Sequence, residues 1–149
     1  MHIDLEKINK LPPDVRKKWK INAIKSFRKK KESHIKSDFL SFVKHIWPEF
    51  IEGYHHKIIA EKFNNLASGK INRLIVNMPP RHTKSEFASY LLPAWMMGNY
   101  PKLKIIQATH TAELAVRFGR KTKNLIDSEE YKDLFDISLQ QDSKAAGRW

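Results

Sequence analysis

Lys84 and Ser85 close the run MPPRHTKS, which covers residues 78–85 and separates an apolar stretch from a stretch with helical spacing. In a Walker A loop, a lysine in this position reaches the β- and γ-phosphates and the next hydroxyl ligates Mg²⁺. The two residues must be adjacent because both project from the first helical turn, where the helix N-terminus adds partial positive charge. The run therefore predicts a loop for ATP and Mg²⁺, with Lys84 as phosphate ligand and Ser85 as metal ligand.

The run departs from the standard spacing, which has glycine at the positions of Met78 and Thr83. Glycine removes a Cβ where the backbone must curl tightly around phosphate. A β-branched residue such as Thr83 narrows the backbone choices. On spacing alone, the run is equally well read as a proline-stopped strand followed by a basic turn.

The elements that must position this run follow an alternating order. Residues 73–78 and 103–108 are short apolar runs of the kind found in buried strands. Helical patterns follow each of them, over 84–99 and over about 109–126. Strand, helix, strand, helix is the signature of a parallel, doubly wound sheet. We therefore predict an α/β fold, the first βαβα part of a P-loop NTPase.

The predicted domain is expected to be incomplete. No third strand is found in residues 131–149, and two strands cannot form a stable parallel sheet alone. An apolar run ending in two acids, as a Walker B strand requires, is also missing from the sequence. The acid that would orient an attacking water must then lie beyond Trp149, and we expect no ATP turnover by these 149 residues alone.

Three helices are predicted upstream of the loop. Pro13 opens a helix over 14–32, because proline fits the first helical turn. Asp38 caps a second, short helix that Pro48 stops, and a third helix covers 54–67. We divide the chain into a basic helical extension, 1–46, and the front part of an ATPase domain, 47–149.

Charge points to the class of partner. The formal net charge is +12, and residues 16–36 hold ten lysines and arginines against the single acid Glu32. Such a surplus favours nucleic acid or an anionic membrane face, although basic residues can also simply solvate a surface. This basic helix carries a loose apolar stripe formed by Val15, Trp19, Ile24 and Phe27. It could lie on DNA or on a membrane, or pack on the next domain; we favour packing, with the basic face free for phosphates.

Composition excludes several classes of protein. The absence of cysteine excludes a disulfide framework and any cysteine-ligated metal. Residues 1–7 lack the apolar core of a signal peptide, and no apolar run approaches the roughly 20 residues of a membrane helix. We expect a soluble, intracellular protein without a membrane partner.

Residues 73–86, RLIVNMPPRHTKSE, resemble the phosphate loop of the large terminase subunit of tailed bacteriophages, which often reads Pro-Pro-Arg-His before the lysine. The resemblance covers about Trp47 to Trp149, roughly two thirds of the chain. Further matching motifs follow in order: Pro93-Ala94-Trp95, Gly98, Pro101, Thr109, Leu114-Ala115, Phe118-Gly119-Arg120, Tyr131, Leu134-Phe135 and Trp149.

The resemblance implies an ATP-driven motor that pushes double-stranded DNA through a portal into a procapsid. It implies a portal protein and a small terminase subunit as partners, and a homo-oligomeric ring on the portal. It places the protein in the host cytoplasm, docked transiently on the procapsid and absent from the mature virion. In that family a nuclease domain follows the ATPase, and none could fit in this chain.

The resemblance also suggests roles for the other loop residues. Arg81 would stabilise or sense charge on the γ-phosphate, although a surface arginine beside a basic loop is an equal alternative. Pro80, His82 and Thr83 would shape the loop that wraps the triphosphate. The run Tyr54-His55-His56 resembles the segment that contributes to the adenine pocket. Tyr54 and His55 could pack on the adenine ring, because aromatic faces stack well on bases. A core or helix-start role for these two residues is an equal alternative.

Polar residues after the second apolar run are further candidates. Thr109 and Thr111 could contact phosphate, DNA or a neighbouring subunit, because ligands bind at the carboxyl ends of strands in open α/β sheets. A helix cap explains them equally well. The helix that follows is basic, which suits DNA-backbone contact, a subunit interface or a solvated face; its cations are Arg117, Arg120, Lys121 and Lys123.

Two other functions remain open. The first is a helicase or another nucleic-acid translocase that uses the same loop. The second is a non-enzymatic nucleic-acid-binding module whose loop is degenerate, and Met78 and Thr83 are its best support.

Overall fold

The computed structural model describes residues 12–137, and every element in this part is helical. In chain order the elements are α1 Pro13–Ser37, α2 Phe39–Ile46, α3 Tyr54–Ala67, α4 Lys84–Glu86, a π-helical turn Phe87–Leu91, α5 Leu92–Asn99, α6 Ala112–Ile126 and α7 Glu129–Leu134. The chain divides into two compact units, Met1–His34 and Ile35–Trp149. The sequence-based division at Trp47 stays a prediction.

The predicted α/β fold is wrong. Residues 73–78 and 103–108, expected as the two parallel strands of a P-loop NTPase, form no strand, and residues 12–137 contain no sheet. A parallel strand is stabilised by ladder hydrogen bonds on its edges and by cover on both faces. Neither segment has these, since Ile75 is 87% exposed and Ile106 is 95% exposed.

The first of these segments keeps only half of the strand pattern. Leu74, Val76 and Met78 are partly buried and pack against the core, whereas Ile75 points away from it. This alternation is the one that an extended chain produces. The prediction of a buried strand over residues 73–78 is therefore wrong, because the apolar pattern does not show whether another segment lies beside it.

The predicted helices are present, and capping side chains explain where two of them begin. Asp38 caps α2 by accepting the Ser41 N–H at 2.8 Å. Thr111 caps α6 by accepting the Leu114 N–H at 3.3 Å. In both helices the capping side chain satisfies one of the amides that the first turn leaves unpaired.

An aromatic cluster forms the core of the unit that begins at Ile35. The ring of Phe39 makes edge contacts with Phe63, Phe87 and Trp95, at centroid distances of 5.1, 5.4 and 5.6 Å. These rings are at most 4% exposed. The indole N–H of Trp95 donates to the carbonyl of Lys36 at 2.9 Å, so its polar group is satisfied within this core. The cluster fixes the helical segment that follows the candidate loop.

That helical segment runs without a break from Lys84 to Asn99 but widens in its middle. The Leu92 N–H donates to the Phe87 carbonyl, five residues back, which defines the π-helical turn. Pro93 has no N–H to offer to the carbonyl of Ser89 four residues back. The Gln107 side chain donates to that carbonyl instead, at 3.3 Å.

Candidate phosphate-binding loop

The predicted phosphate loop borders an open cavity of about 530 Å³. Its lining residues are Pro79, Pro80, Arg81, Thr83, Lys84, Ser85 and Glu86. The structure thus brings together five of the predicted site residues, and it leaves His82 outside this lining. This volume lies within the range of about 300–1,000 Å³ that is usual for ligand pockets.

Two non-glycine residues in the loop adopt left-handed backbone conformations, Arg81 with φ 64° and Thr83 with φ 59°. The left-handed region is uncommon for residues with a side chain and least favourable for β-branched ones. A left-handed residue next to a right-handed one turns successive N–H groups toward one side, which forms an anion-binding concavity. The glycine of the standard pattern is explained here, because position 83 needs a positive φ.

The amides at the start of α4 are open to this cavity. The Phe87 N–H donates to the Thr83 carbonyl at 2.9 Å, which is the first bond of the helical ladder. The amides of Lys84, Ser85 and Glu86 come before it and have no partner in the ladder. Within residues 12–137, no side chain caps this helix start. Such amides and the helix dipole favour an anion at this place.

Lys84 reaches back across the loop. Its ammonium donates to the carbonyl of Met78 at 3.3 Å, so it joins the end of the loop to its beginning. A carbonyl is a weaker partner for an ammonium than a phosphate, because charge-assisted bonds between ions are the stronger ones. An entering phosphate could therefore replace the Met78 carbonyl without moving the backbone.

Glu86 is the one acidic residue in the lining, and a cation from another helix compensates it. Its carboxylate forms an ion pair with Lys121 of α6. The Lys121 ammonium also lies over the ring of Tyr90, 4.4 Å from its centroid. With this carboxylate paired, the charge of Arg81 and Lys84 dominates the cavity.

His56 lies in the first turn of α3 and contacts the loop through its side chain, a contact that was not predicted from the sequence. Its Nδ1 accepts the Gly53 N–H at 2.8 Å, so the neutral ring carries its proton on Nε2. That Nε2–H donates to Thr83 Oγ1 at 2.7 Å. The Thr83 hydroxyl in turn donates to the His82 carbonyl at 2.7 Å. One chain of hydrogen bonds therefore connects the start of α3 to the loop.

The surroundings of His56 keep its imidazole neutral. Burial is the main cause that lowers the pKa of His56, and the neighbouring His55 and His82 lower it further, against the opposing charge of Glu52. The ring is 6% exposed and packs against Phe50 and Phe87, at centroid distances of 4.7 and 5.2 Å. Both ring nitrogens thus have hydrogen-bond partners, and two aromatic rings pack near the imidazole.

His82 supports the loop from outside its cavity. Its Nδ1–H donates to the carbonyl of Pro80 at 2.9 Å, which closes a tight turn. Its ring lies 5.6 Å from the ring of His55. The predicted loop-shaping role of His82 fits this geometry.

The two residues expected at the adenine ring are separated. His55 lines a second cavity of about 250 Å³. Met78, whose carbonyl accepts the bond from Lys84, lines this cavity too. Tyr54 is outside this lining and 79% exposed. The other lining residues are Ile58, Ile59, Lys62, Leu74, Ile75, Val76 and Asn77. A flat apolar ring beside the phosphate loop would meet His55 and aliphatic side chains here.

The threonines after the second apolar run act on their own backbone. The Thr109 hydroxyl donates to the Thr111 carbonyl at 2.7 Å, and Thr111 caps α6. Thr109 was predicted to contact a ligand from the carboxyl end of a strand. This prediction is wrong, because residues 103–108 form no strand.

The donor set for a metal ion is small. Among residues 12–137 no group of three or more His, Cys, Asp or Glu side chains could hold a metal. The Ser85 hydroxyl borders the cavity and is an oxygen donor of the kind that Mg²⁺ accepts, and such ions bound beside phosphates keep several waters. The residues present therefore fit Mg²⁺ only as a companion of bound phosphates.

The basic helix of the first unit is open to solvent. Its lysines and arginines between residues 17 and 31 are all exposed, and the apolar stripe includes Phe27 at 64% and Trp19 at 37% exposure. Lys18, Lys25 and Lys29 share one side of the helix by their spacing, opposite the stripe. In the described part of the chain, no helix is both long and apolar enough to cross a membrane.

Comparisons with protein-family models, with curated proteins and with solved structures found no match to this chain. Trp149, the last residue of the resemblance to large terminases, lies outside the described residues.

Proposed function

We propose that residues 79–86 bind the phosphates of Mg·ATP, and that the chain is the nucleotide-binding part of a DNA-packaging motor of the terminase type. The observation that carries this proposal is the coincidence of four groups at one cavity: the amides that open α4, the Lys84 ammonium, the Ser85 hydroxyl and the left-handed turn at Thr83. The proposal does not need a parallel sheet, because all four groups belong to one continuous loop and helix.

Each side chain has a distinct task in this proposal. Lys84 leaves the Met78 carbonyl and pairs with a terminal phosphate oxygen, while the amides of the first turn bind the same anion. Arg81, which lines the cavity, adds a second cation for charge that develops on the γ-phosphate. Ser85 directs its hydroxyl toward the metal, and Mg²⁺ supplies neutralisation of phosphate charge when bound.

The DNA partner is supported by charge. Phosphate contacts from lysine and arginine supply sequence-independent affinity for DNA. The exposed basic residues of α1, together with Arg117 and Arg120 of α6, offer such contacts. Only the resemblance to large terminases supports the remaining parts of the proposal. These are the homo-oligomeric ring, the portal protein and small terminase subunit as partners, and the cytoplasmic, procapsid-docked location.

Calorimetry with Mg·ATP tests the proposal. We expect Lys84→Ala to weaken binding by roughly 10–100-fold, the effect of losing a hydrogen bond to a charged group. Lys70→Ala, at an exposed lysine outside both cavities, is the matched control and should leave affinity unchanged. Absence of Mg·ATP binding by the wild-type chain would refute the proposal.

A non-enzymatic nucleic-acid-binding module is the second candidate, and the exposed basic helix α1 favours it. Such a module should bind DNA with strong salt dependence and without any effect of nucleotide. DNA affinity that is unchanged by Mg·ATP and by Lys84→Ala would support it. An effect of Mg·ATP on DNA affinity that Lys84→Ala removes would support the motor.

A further inference from the structure

We propose that His56 is a positioning residue that holds Thr83 in its left-handed conformation and so keeps the first-turn amides of α4 available to an anion. This inference rests on the proposed function for its consequence in nucleotide binding. The geometric part, the hold on Thr83, can be tested without nucleotide.

Thr83 has a residue type that disfavours its backbone conformation. Thr83 has φ 59° and ψ 5°, in the left-handed region. A β-branched side chain is disfavoured there, and residues in such regions persist only when their surroundings over-determine them. Something other than the local sequence must therefore hold Thr83.

The Thr83 side chain bonds to His56 and does not cap its own helix. A threonine at an N-cap ordinarily accepts a hydrogen bond from an amide of the first turn, as Thr111 does at α6. Thr83 occupies the N-cap of α4 but makes no such bond. Its hydroxyl oxygen instead accepts from His56 Nε2 at 2.7 Å. The bond to His56 thus removes the internal competitor for the amides that would bind phosphate.

The imidazole of His56 is itself held in place by its neighbours. The Gly53 N–H fixes the imidazole at Nδ1, and Phe50 and Phe87 pack near its ring. A Cβ at Gly53 would lie 2.8 Å from a ring atom of His55 and 3.4 Å from His56 Nδ1, which shows how closely this turn surrounds the two histidines. Because the His56 ring has little freedom to move, its bond to the Thr83 hydroxyl can fix the position of Thr83.

The test is a double-mutant cycle with Thr83→Gly. Glycine adopts a positive φ without strain, so it should make the hold unnecessary. We expect His56→Ala to weaken Mg·ATP binding by roughly tenfold in the wild type and by less than twofold in the Thr83→Gly background. Equal losses in both backgrounds would overturn the proposal.

A conservative variant separates positioning from packing. Glutamine at position 56 can place an amide N–H near the former Nε2, so His56→Gln should recover most of the affinity that His56→Ala loses. His56→Leu keeps apolar volume without a donor and should not recover it. Recovery by leucine to the level of glutamine would show that the ring serves only as packing.

NMR makes the outcome independent of nucleotide. The ring ¹⁵N shifts should report a proton on Nε2 of His56, and the amide coupling of Thr83 should change in His56→Leu but not in His56→Gln. A proton on Nδ1, or an unchanged coupling in His56→Leu, would overturn the inference. If these signals behave as expected while the wild-type chain binds no Mg·ATP, the hold on Thr83 stands and the proposed function alone fails.

Discussion

The ring of Phe135 occupies the space that a side chain on Gly98 would need. A Cβ at Gly98 would lie 2.7 Å from three atoms of this ring, and Phe135 is only 2% exposed. The close approach joins α5 to the chain that leaves α7. Glycine is required here for its size and not for its backbone freedom.

Gly98→Ala should therefore destabilise the protein by about 1–3 kcal/mol, the usual effect of overpacking a core. Thermal or urea unfolding of the two proteins measures the difference. Phe135→Leu frees space at the same place, so the alanine should have a smaller effect in that background. An equal effect with and without Phe135 would contradict the steric explanation.

Asn64 of α3 is expected to be sensitive to a change of charge. Its Oδ1 accepts the Phe39 N–H at 2.9 Å, and its Nδ2 donates to Asp38 Oδ1 at 2.8 Å. Asn64→Asp would replace that donor with a second carboxylate beside Asp38. We expect a loss of about 1–3 kcal/mol at neutral pH, because a hydrogen bond becomes a repulsion between partly buried charges.

Acid should relieve this effect, since protonation of either carboxyl restores a donor. The stability difference between Asn64→Asp and the wild type should thus shrink as pH falls below about 5. Asn65→Asp is the control, at the adjoining position of the same helix. A penalty that is the same at both positions would exclude the repulsion with Asp38.

The pH dependence of stability should carry the signature of His56. Burial lowers the pKa of this histidine, so the folded chain binds its proton less readily than the unfolded chain does. The unfolded state then binds more protons between the two pKa values, and stability rises with pH in that interval. The contribution is fully present above about pH 6.5, the ordinary histidine value, and is lost as pH falls through the lower folded pKa.

Urea unfolding between pH 5 and 8 checks this sign. His56→Gln removes the titrating group, so its stability should fall less steeply below pH 6.5 than that of the wild type. A ring titration midpoint above 6.5 in the folded wild-type protein would show that the sign is wrong.

Lys121 should influence phosphate binding through Glu86. The ion pair compensates the acidic group that lines the cavity, and its two side chains are 43% and 35% exposed. Exposed pairs contribute little, and a change of roughly 1.5–5-fold in affinity is the expected scale. We predict weaker Mg·ATP binding by Lys121→Ala and stronger binding by Glu86→Gln.

The double variant distinguishes charge from other effects of Lys121. Once Glu86 is neutral, removing Lys121 should no longer weaken Mg·ATP binding. High salt should also reduce the effect of Lys121→Ala, because exposed charges are screened. Calorimetry at two salt concentrations measures both expectations.

Local signals in the sequence were sufficient for the predicted helices, although α7 was not among them. Pro13, Asp38 and Thr111 act within one or two turns of their own position, so their types predict helix starts directly. The strand prediction failed because a strand depends on distant partners. The sequence of residues 73–78 shows an apolar pattern that suits a strand. It does not show whether another segment lies beside it.

The loop shows the same limit at the level of the site. Lys84 and Ser85 were recognisable because they are adjacent to each other and to a helix start. The bond between His56 and Thr83 spans 27 residues and depends on a ring tautomer, which no local pattern encodes. One signal was present: a threonine where glycine is standard implies that some other residue must stabilise the turn.

The π-helical turn over Phe87–Leu91 sets the angular position of the loop residues. A wide turn holds about one residue more than an α-helical turn, and one residue corresponds to roughly 100° of rotation about the axis. The aromatic anchor Trp95 fixes the far end of the same helix in the core. A one-residue deletion inside this turn should therefore be absorbed as an ordinary α-helical turn and leave Lys84 and Ser85 on the same side of the helix. The same deletion in the regular helix between Leu92 and Trp95 should rotate both side chains by roughly 100°.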